Sequence, residues 1–251
     1  MTSETSSIED IIRLMDLTCL ADDADASAIE ALCQAALAAP VPVASLCIAP
    51  EWISCAKQYL AGKPIPITTV ANFPKPHCDT AAITQAVTDC VDAGADEIDI
   101  VFPYDQFDPT NTAPTLAWLK AARAACPDHI LKIIIESGQA PDLAWIESAT
   151  ACVARSGANF VKTSTGKHFP GANSEAVQCM AYTLHECATP CGLKISGGVR
   201  TVEQANDYIQ SVSRILGSAF ITPQWFRIGA SSLLTNCMQQ LATDPSNKHD
   251  Q

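Results

Sequence analysis

The chain has 251 residues, 48% of them hydrophobic and 17% charged, which excludes a disordered tail, a disulfide-stapled miniprotein and a coiled coil. Fifteen Lys and Arg against 27 Asp and Glu give a net charge of −12, which opposes binding to nucleic acid or to an anionic membrane surface. A small anionic substrate stays compatible with that charge, because a local cluster of cations can oppose the overall field inside a cleft.

Met1 to Asp10 is acidic and Ser-rich, without the basic and apolar regions of a secretory signal, so a cytoplasmic protein is expected. Leu14 to Leu17 reads as a first short strand. Ser27-Ala-Ile-Glu30 has the spacing of a capping box, and Ile29, Leu32, Cys33, Ala36 and Leu37 follow at helical period. Ala31 to Pro50 carries no charge, but Pro40 and Pro42 interrupt it and no membrane span is expected. Strands are predicted at Val41 to Ile48 and Ile65 to Ala71, then a helix at Thr80 to Asp92 ending at Gly94. A strand at Ile98 to Phe102, a helix with Pro114 in its first turn and a strand at Ile130 to Ile135 come next. Asp142 caps a helix to Gly157, and Asn159 to Thr165 is the following strand. Ser174 opens a helix to Cys187, and Leu193 to Ser196 is a strand. Thr201-Val-Glu-Gln204 is a capping box, and Phe226 to Gly229 precedes a last helix from Ser231.

Eight short apolar strands alternating with helices are the pattern of parallel βαβ units. A doubly wound open sheet shows the same alternation, and the length and even count favour a single (β/α)8 barrel over residues 1–251. Residues 1–7 and 243–251 read as loose tips. The twelve cysteines, Cys19 to Cys237, form no C-x-x-C pair and read as reduced, mostly buried thiols.

Charges inside apolar strand runs carry the functional information, because the strand ends of such a barrel build its active site. Asp99 lies in Asp96-Glu-Ile-Asp-Ile-Val-Phe102, Lys162 in Phe160-Val-Lys-Thr-Ser-Thr-Gly166, and Lys194 in Leu193-Lys-Ile-Ser-Gly-Gly198. The two Lys segments share the pattern apolar-Lys-x-Ser-x-Gly, and strand alternation puts each Lys and Ser on one face. Two inward ammonium groups would be desolvated and mutually repelled, which lowers an amine's pKa and makes it a nucleophile for a carbonyl. Asp99 beside them can shuttle protons. A strand Lys can instead pair with a carboxylate at the N-terminal rim, and Lys132, at the start of its strand, reads that way.

Gly166-Lys167, Gly197-Gly-Val-Arg200 and Gly229-Ala-Ser-Ser232 follow three successive strands. Glycines let backbone N–H groups approach an anion, and the last loops of such barrels commonly hold phosphate. Gly157 to Arg200 holds four Lys and Arg against two Asp and Glu, so this cleft is locally positive.

From Leu14-Met-Asp-Leu-Thr18 to Gly229-Ala-Ser-Ser-Leu-Leu234, through Val43-Ala-Ser-Leu-Cys-Ile48 and both Lys segments, the chain resembles the class I deoxyribose-phosphate aldolases. The resemblance implies a barrel, a homodimer and no metal or organic cofactor. It also implies cleavage of 2-deoxy-D-ribose 5-phosphate to D-glyceraldehyde 3-phosphate and acetaldehyde. Lys162 would form the Schiff base, Lys194 would depress its pKa, and Asp99 and Lys194 would move protons. Asp16, Thr18 and Cys47 would line the sugar end. Thr165, Gly166, Lys167, Gly197, Gly198, Val199, Arg200, Gly229, Ala230, Ser231 and Ser232 would cradle the phosphate. Several members end in a tail whose terminal Tyr transfers protons; this sequence reads Asn247-Lys-His-Asp-Gln251 there and its last Tyr is Tyr208, which leaves open whether water with Asp99 suffices or enolisation is slower than in those members. Cys47 reads as a wall residue rather than a nucleophile. The residues leave open a Schiff-base aldolase for another aldehyde or a keto acid, and a noncatalytic sugar-phosphate binder. A metal-dependent aldolase is disfavoured because the five His show no ligand spacing.

Overall fold

A computed structural model describes residues 6–243, which form a closed barrel of eight parallel strands in sequence order. The strands are β1 (Met15–Cys19), β2 (Ser45–Ile48), β3 (Ile67–Ala71), β4 (Glu97–Val101), β5 (Ile130–Ile134), β6 (Phe160–Lys162), β7 (Gly192–Ser196) and β8 (Phe226–Ala230). Among the described residues the helices are α1 (Ile8–Arg13), α2 (Ala26–Ala38), α3 (Ile53–Tyr59), α4 (Thr80–Asp92), α5 (Ala113–Ala124), α6 (Leu143–Arg155), α7 (Ser174–Glu186), α8 (Val202–Leu216) and α9 (Leu233–Thr243). None of them is long and apolar enough to cross a membrane.

Alternation along the strands divides the interior in two. Outward residues such as Leu17, Ile48, Ile100, Ile133, Val161 and Ile195 join the helices in one apolar core. Each such side chain contributes about 1.5–3 kcal/mol on burial. Inward residues are buried just as deeply, yet Asp16, Ser45, Thr68, Glu97, Asp99, Lys132, Lys162, Lys194 and Arg227 are polar or charged. Burying such groups is costly unless they are paired, so the lumen's stability rests on its ion pairs.

Caps behave as their chemistry requires. Asp142 accepts from Trp145 N at 2.8 Å, and Thr201 with Gln204 forms a capping box that opens α8. The box expected at Ser27 does not form: Asp25 caps α2 instead, accepting from Ala28 N at 2.9 Å and from Ser27 Oγ at 2.7 Å. The carboxylate two residues upstream captures both donors. Asn173 similarly caps α7, accepting from Ala176 N at 2.8 Å. A short helix, α1, precedes the first strand with a capping box between Ser7 and Asp10. Ser6 and Ser7 are thereby tied into the fold, Ser6 N donating to Asn206 Oδ1 at 3.2 Å. The remaining residues expected to be loose, 1–5 and 244–251, lie outside the described residues, as does the C-terminal sequence compared above.

Several strand limits also shift. The first strand extends through Thr18 to Cys19, β2 begins only at Ser45, and β6 stops at Lys162 rather than Thr165. Just beyond Lys162, Thr163 N still donates to Lys194 O of β7 at 3.0 Å, but Thr165 N turns away to the Glu136 carboxylate at 3.2 Å. α9 begins at Leu233, which leaves Ser231 and Ser232 in the connecting turn.

Candidate active site

The parallel register makes Lys162 the Cα partner of Lys194, Lys194 that of Arg227, and Asp99 that of Lys132. These side chains therefore meet in the lumen. Asp99 Oδ2 accepts from Lys162 Nζ at 2.8 Å and from Lys194 Nζ at 2.8 Å, while its Oδ1 accepts from Lys132 Nζ at 3.0 Å. Lys194 Nζ lies 2.6 Å from Asp16 Oδ2, and Arg227 donates to Asp16 Oδ1 at 2.6 Å and to Glu97 Oε1 at 3.1 Å.

Above this cluster, at the C-terminal end of the strands, opens a cavity of about 410 Å³. Its walls are Thr18 with the turn after β1, Thr165 to Lys167 after β6, Ser196 to Arg200 at the end of β7, and Gly229 to Ser232 at the end of β8. All eleven residues expected at the anion cradle thus converge, from three loops, as does Thr18. Gly197 and Gly198 have φ of 89° and 99°, a left-handed conformation that glycine adopts freely. Lys162 is the one member of the ion cluster that lines the cavity, with 4% of its side chain exposed against 0% for Lys132 and Lys194. Asp16 and Cys47, expected at the sugar end, are fully buried and are not among the residues that line the cavity. Asp16 stands one inward position below Thr18 on β1, while Cys47 is the Cα partner of Thr18 on β2 and is covered at that level.

A family model described as the DeoC/LacD family aldolase matches residues 11–238. The chain belongs to that family. As an aldolase it is a lyase that makes and breaks carbon–carbon bonds. A Coccidioides immitis protein provisionally assigned as a deoxyribose-phosphate aldolase is 27% identical, with 95% of this aldolase and 88% of that chain covered at a TM-score of 0.84. The tetrameric deoxyribose-phosphate aldolase of Aeropyrum pernix, at 19% identity, covers 94% of this chain and 93% of its own at 0.76, and a Toxoplasma gondii ME49 protein with the same provisional assignment, at 18%, covers 96% of each chain at 0.85. At those identities the last two support the fold alone.

The electrostatics of the aldolase treat its two facing lysines differently. Burial pulls Lys162 below the ordinary lysine value; Asp99 offsets part of this and Lys194 adds to it. Lys194 is buried too, yet Asp16 and Asp99 together outweigh burial and hold it well above the ordinary value. The expectation that shared burial and repulsion would lower both amines therefore holds for Lys162 and fails for Lys194, which has a second carboxylate partner. Asp99 itself is held below the usual carboxylate range: burial raises it, but Lys132, Lys162 and Lys194 together outweigh that. Burial pushes the Cys47 thiol up, against the opposing Lys194, so a thiolate there is disfavoured.

Lys132 is not a rim residue. It is fully buried, 2.5 Å from Glu97 Oε2 and 3.0 Å from Asp99 Oδ1, because the β4–β5 register sets it level with Asp99. Arg227, Glu97 and Glu136 are further buried charges of the aldolase to which the sequence reading gives no role. Arg227 and Glu97 carry the signal that marked the lysines, a charge within an apolar strand run. Glu136, with φ 54°, follows β5 and accepts from Thr165 Oγ1 at 2.6 Å, bracing the cradle from below.

Proposed function

We propose that this aldolase reversibly cleaves 2-deoxy-D-ribose 5-phosphate to D-glyceraldehyde 3-phosphate and acetaldehyde through a Schiff base on Lys162. The supporting observation is that, within a cluster of buried charges, the amine whose proton is held most weakly is the one that reaches the cavity. The glycine-rich cradle with Lys167 and Arg200 fits a phosphate at the other end.

The neutral amine of Lys162 adds to C1 of the open-chain sugar and expels water, leaving a protonated imine. The C3 hydroxyl gives up its proton, the C2–C3 bond breaks, and its electron pair moves into the imine to form an enamine while glyceraldehyde 3-phosphate departs. Protonation at C2 and hydrolysis then release acetaldehyde and restore the amine. Lys194 rests protonated and Asp99 rests ionised, so through a water Lys194 can lend a proton to one step and Asp99 can take one up in another, each being restored within the cycle. Thr18 lines the same cavity as Lys162, which supports its contact with the sugar; phosphate held in the cradle lets binding energy position C1 against Lys162.

Borohydride trapping with 2-deoxyribose 5-phosphate, with acetaldehyde alone and with a ketose phosphate, followed by peptide mapping, tests this. An adduct at Lys162 is expected from the first two and not the third, and Lys162→Arg is expected to show neither adduct nor turnover. Turnover above background in folded Lys162→Arg overturns the Schiff base. Phosphate binding without any adduct would identify a sugar-phosphate-binding barrel instead.

A further inference from the structure

The ion pairs beneath the cavity close into a ring. Asp99 Oδ1 meets Lys132 at 3.0 Å, Lys132 meets Glu97 Oε2 at 2.5 Å, and Glu97 Oε1 meets Arg227 at 3.1 Å. Arg227 then meets Asp16 Oδ1 at 2.6 Å, Asp16 Oδ2 meets Lys194 at 2.6 Å, and Lys194 returns to Asp99 Oδ2 at 2.8 Å. Three carboxylates alternate with three cations, so the ring is neutral and each member has an opposite charge on either side. Lys162 hangs outside it, joined through Asp99 alone at 2.8 Å. It is the unmatched cation, and losing its proton leaves every ring pair intact.

The far side of the ring is built by two residues that touch neither the cavity nor Lys162. Glu97 is the first residue of β4, and it also accepts from Thr68 Oγ1 at 2.9 Å. Arg227 is clamped in place: its Nε donates to Pro223 O, and its guanidinium carbon lies 5.5 Å from the centre of the Phe160 ring. We propose that Glu97 and Arg227 are positioning residues that set the protonation of Lys162 in opposite senses, through the charge balance of this ring. The proposal rests on Lys162 being the imine-forming amine.

The sign follows from charge alone. Removing Arg227 leaves the ring one negative charge in excess, which favours a protonated Lys162; removing Glu97 leaves one positive charge in excess, which favours the free amine. Neither change strands a partner. Without Arg227, Glu97 keeps Lys132 and Asp16 keeps Lys194; without Glu97, Arg227 keeps Asp16 and Lys132 keeps Asp99. The other titratable groups around Lys162 are common to all variants and cancel in the comparison. They are the Cys47 thiol on β2, Glu136 after β5 bonded to Thr165, Lys167 after β6 paired with Asp22, and Arg200 at the cavity wall. The β3 residue that reaches the ring, Thr68, is uncharged.

Imine formation requires the free amine, so the rate of trapping acetaldehyde at Lys162 with cyanoborohydride rises with pH through the titration of that amine. The full-length protein and the variants Arg227→Met, Arg227→Lys and Glu97→Gln are compared by peptide mapping across pH. The midpoint is expected to move up in Arg227→Met and down in Glu97→Gln, each by on the order of half to one pH unit, and to stay near the parent value in Arg227→Lys. Shifts of the same sign, or an unmoved midpoint in folded variants, overturn the proposal, since lost packing would lower the rate without moving the profile. Should Arg227→Met fail to fold, the near-isosteric Glu97→Gln decides alone, by a downward shift or its absence. No adduct at Lys162 in the parent protein would refute the Schiff base itself, before any variant is compared.

Discussion

Lys167 reaches from the loop after β6 to Asp22 in the turn after β1, with Nζ 2.5 Å from Oδ1, so the loop cation of the cradle is matched by a carboxylate of the chain itself. The side chain of Asp22 is 94% exposed, and an exposed pair of this kind contributes no more than about 1 kcal/mol. In the proposed reaction a dianionic phosphate would compete with it for Lys167.

Asp22→Asn is therefore expected to lower KM for 2-deoxyribose 5-phosphate by no more than about fivefold, with kcat unchanged. KM for unphosphorylated 2-deoxyribose should stay as it was, and added salt should shrink the difference. Initial-rate kinetics on both sugars check this; an equal change for both would mean that Asp22 does not act through the phosphate.

Gly229 lies where the Lys194 side chain crosses β8. A Cβ there would meet Lys194 Cε at 3.1 Å and Ser196 Cβ at 3.0 Å. Gly229→Ala is expected to cost about 1–3 kcal/mol of stability by overpacking. It should also reduce kcat, by pushing Lys194 from Asp16 and Asp99. Denaturant unfolding and kcat are the measurements, and a variant with parental values for both would refute the close fit.

Thr165 links the cradle to Glu136 through its N–H at 3.2 Å and its Oγ1 at 2.6 Å. Thr165→Val keeps the shape and removes the hydroxyl, leaving the buried carboxylate short of a donor. A loss of about 1–3 kcal/mol in urea unfolding is expected, with a raised KM as the loop loosens.

Asp16 and Asp99 both titrate lower in the fold than in an unfolded chain, where an aspartate titrates near about 3.9. Burial works against this, and the surrounding Lys and Arg charges outweigh it. The unfolded chain then binds more protons in acid, so the stability contributed is complete above about pH 5 and falls as pH drops through about 4 toward the folded values. Asp99→Asn is expected to be less stable at neutral pH but to have a flatter stability curve over that acid window. Urea unfolding at a series of pH values distinguishes the two slopes.

Much of this site could be read along the chain. Asp99, Lys162 and Lys194 stand out because a charge within an apolar strand must have a partner or a task, and Thr165 to Arg200 reads as a cradle because glycines and cations follow the strands. Glu97 and Arg227 obey the same rule. Their pairing is invisible in the sequence because Glu97 and Arg227 are 130 residues apart and meet only when β4 and β8 face one lumen in the closed barrel. Lys132 reads as a rim residue for a related reason: its depth depends on the β4–β5 register, which no local pattern encodes. Local competition hid the start of α2, where Asp25 and Ser27 both offer a capping oxygen.

By itself, the sequence determined the alternation of strands and helices, which charges share a strand face, and that a chain of net −12 carries a locally positive segment. Those properties depend on periodicity and composition, which short-range sterics and hydrophobic burial translate directly into structure. Only the closed barrel decided which of two similar lysines loses its proton more readily. Proton affinity in a buried site is set by Coulomb interactions over a few ångströms, and those distances exist only once strands from both ends of the chain share one lumen.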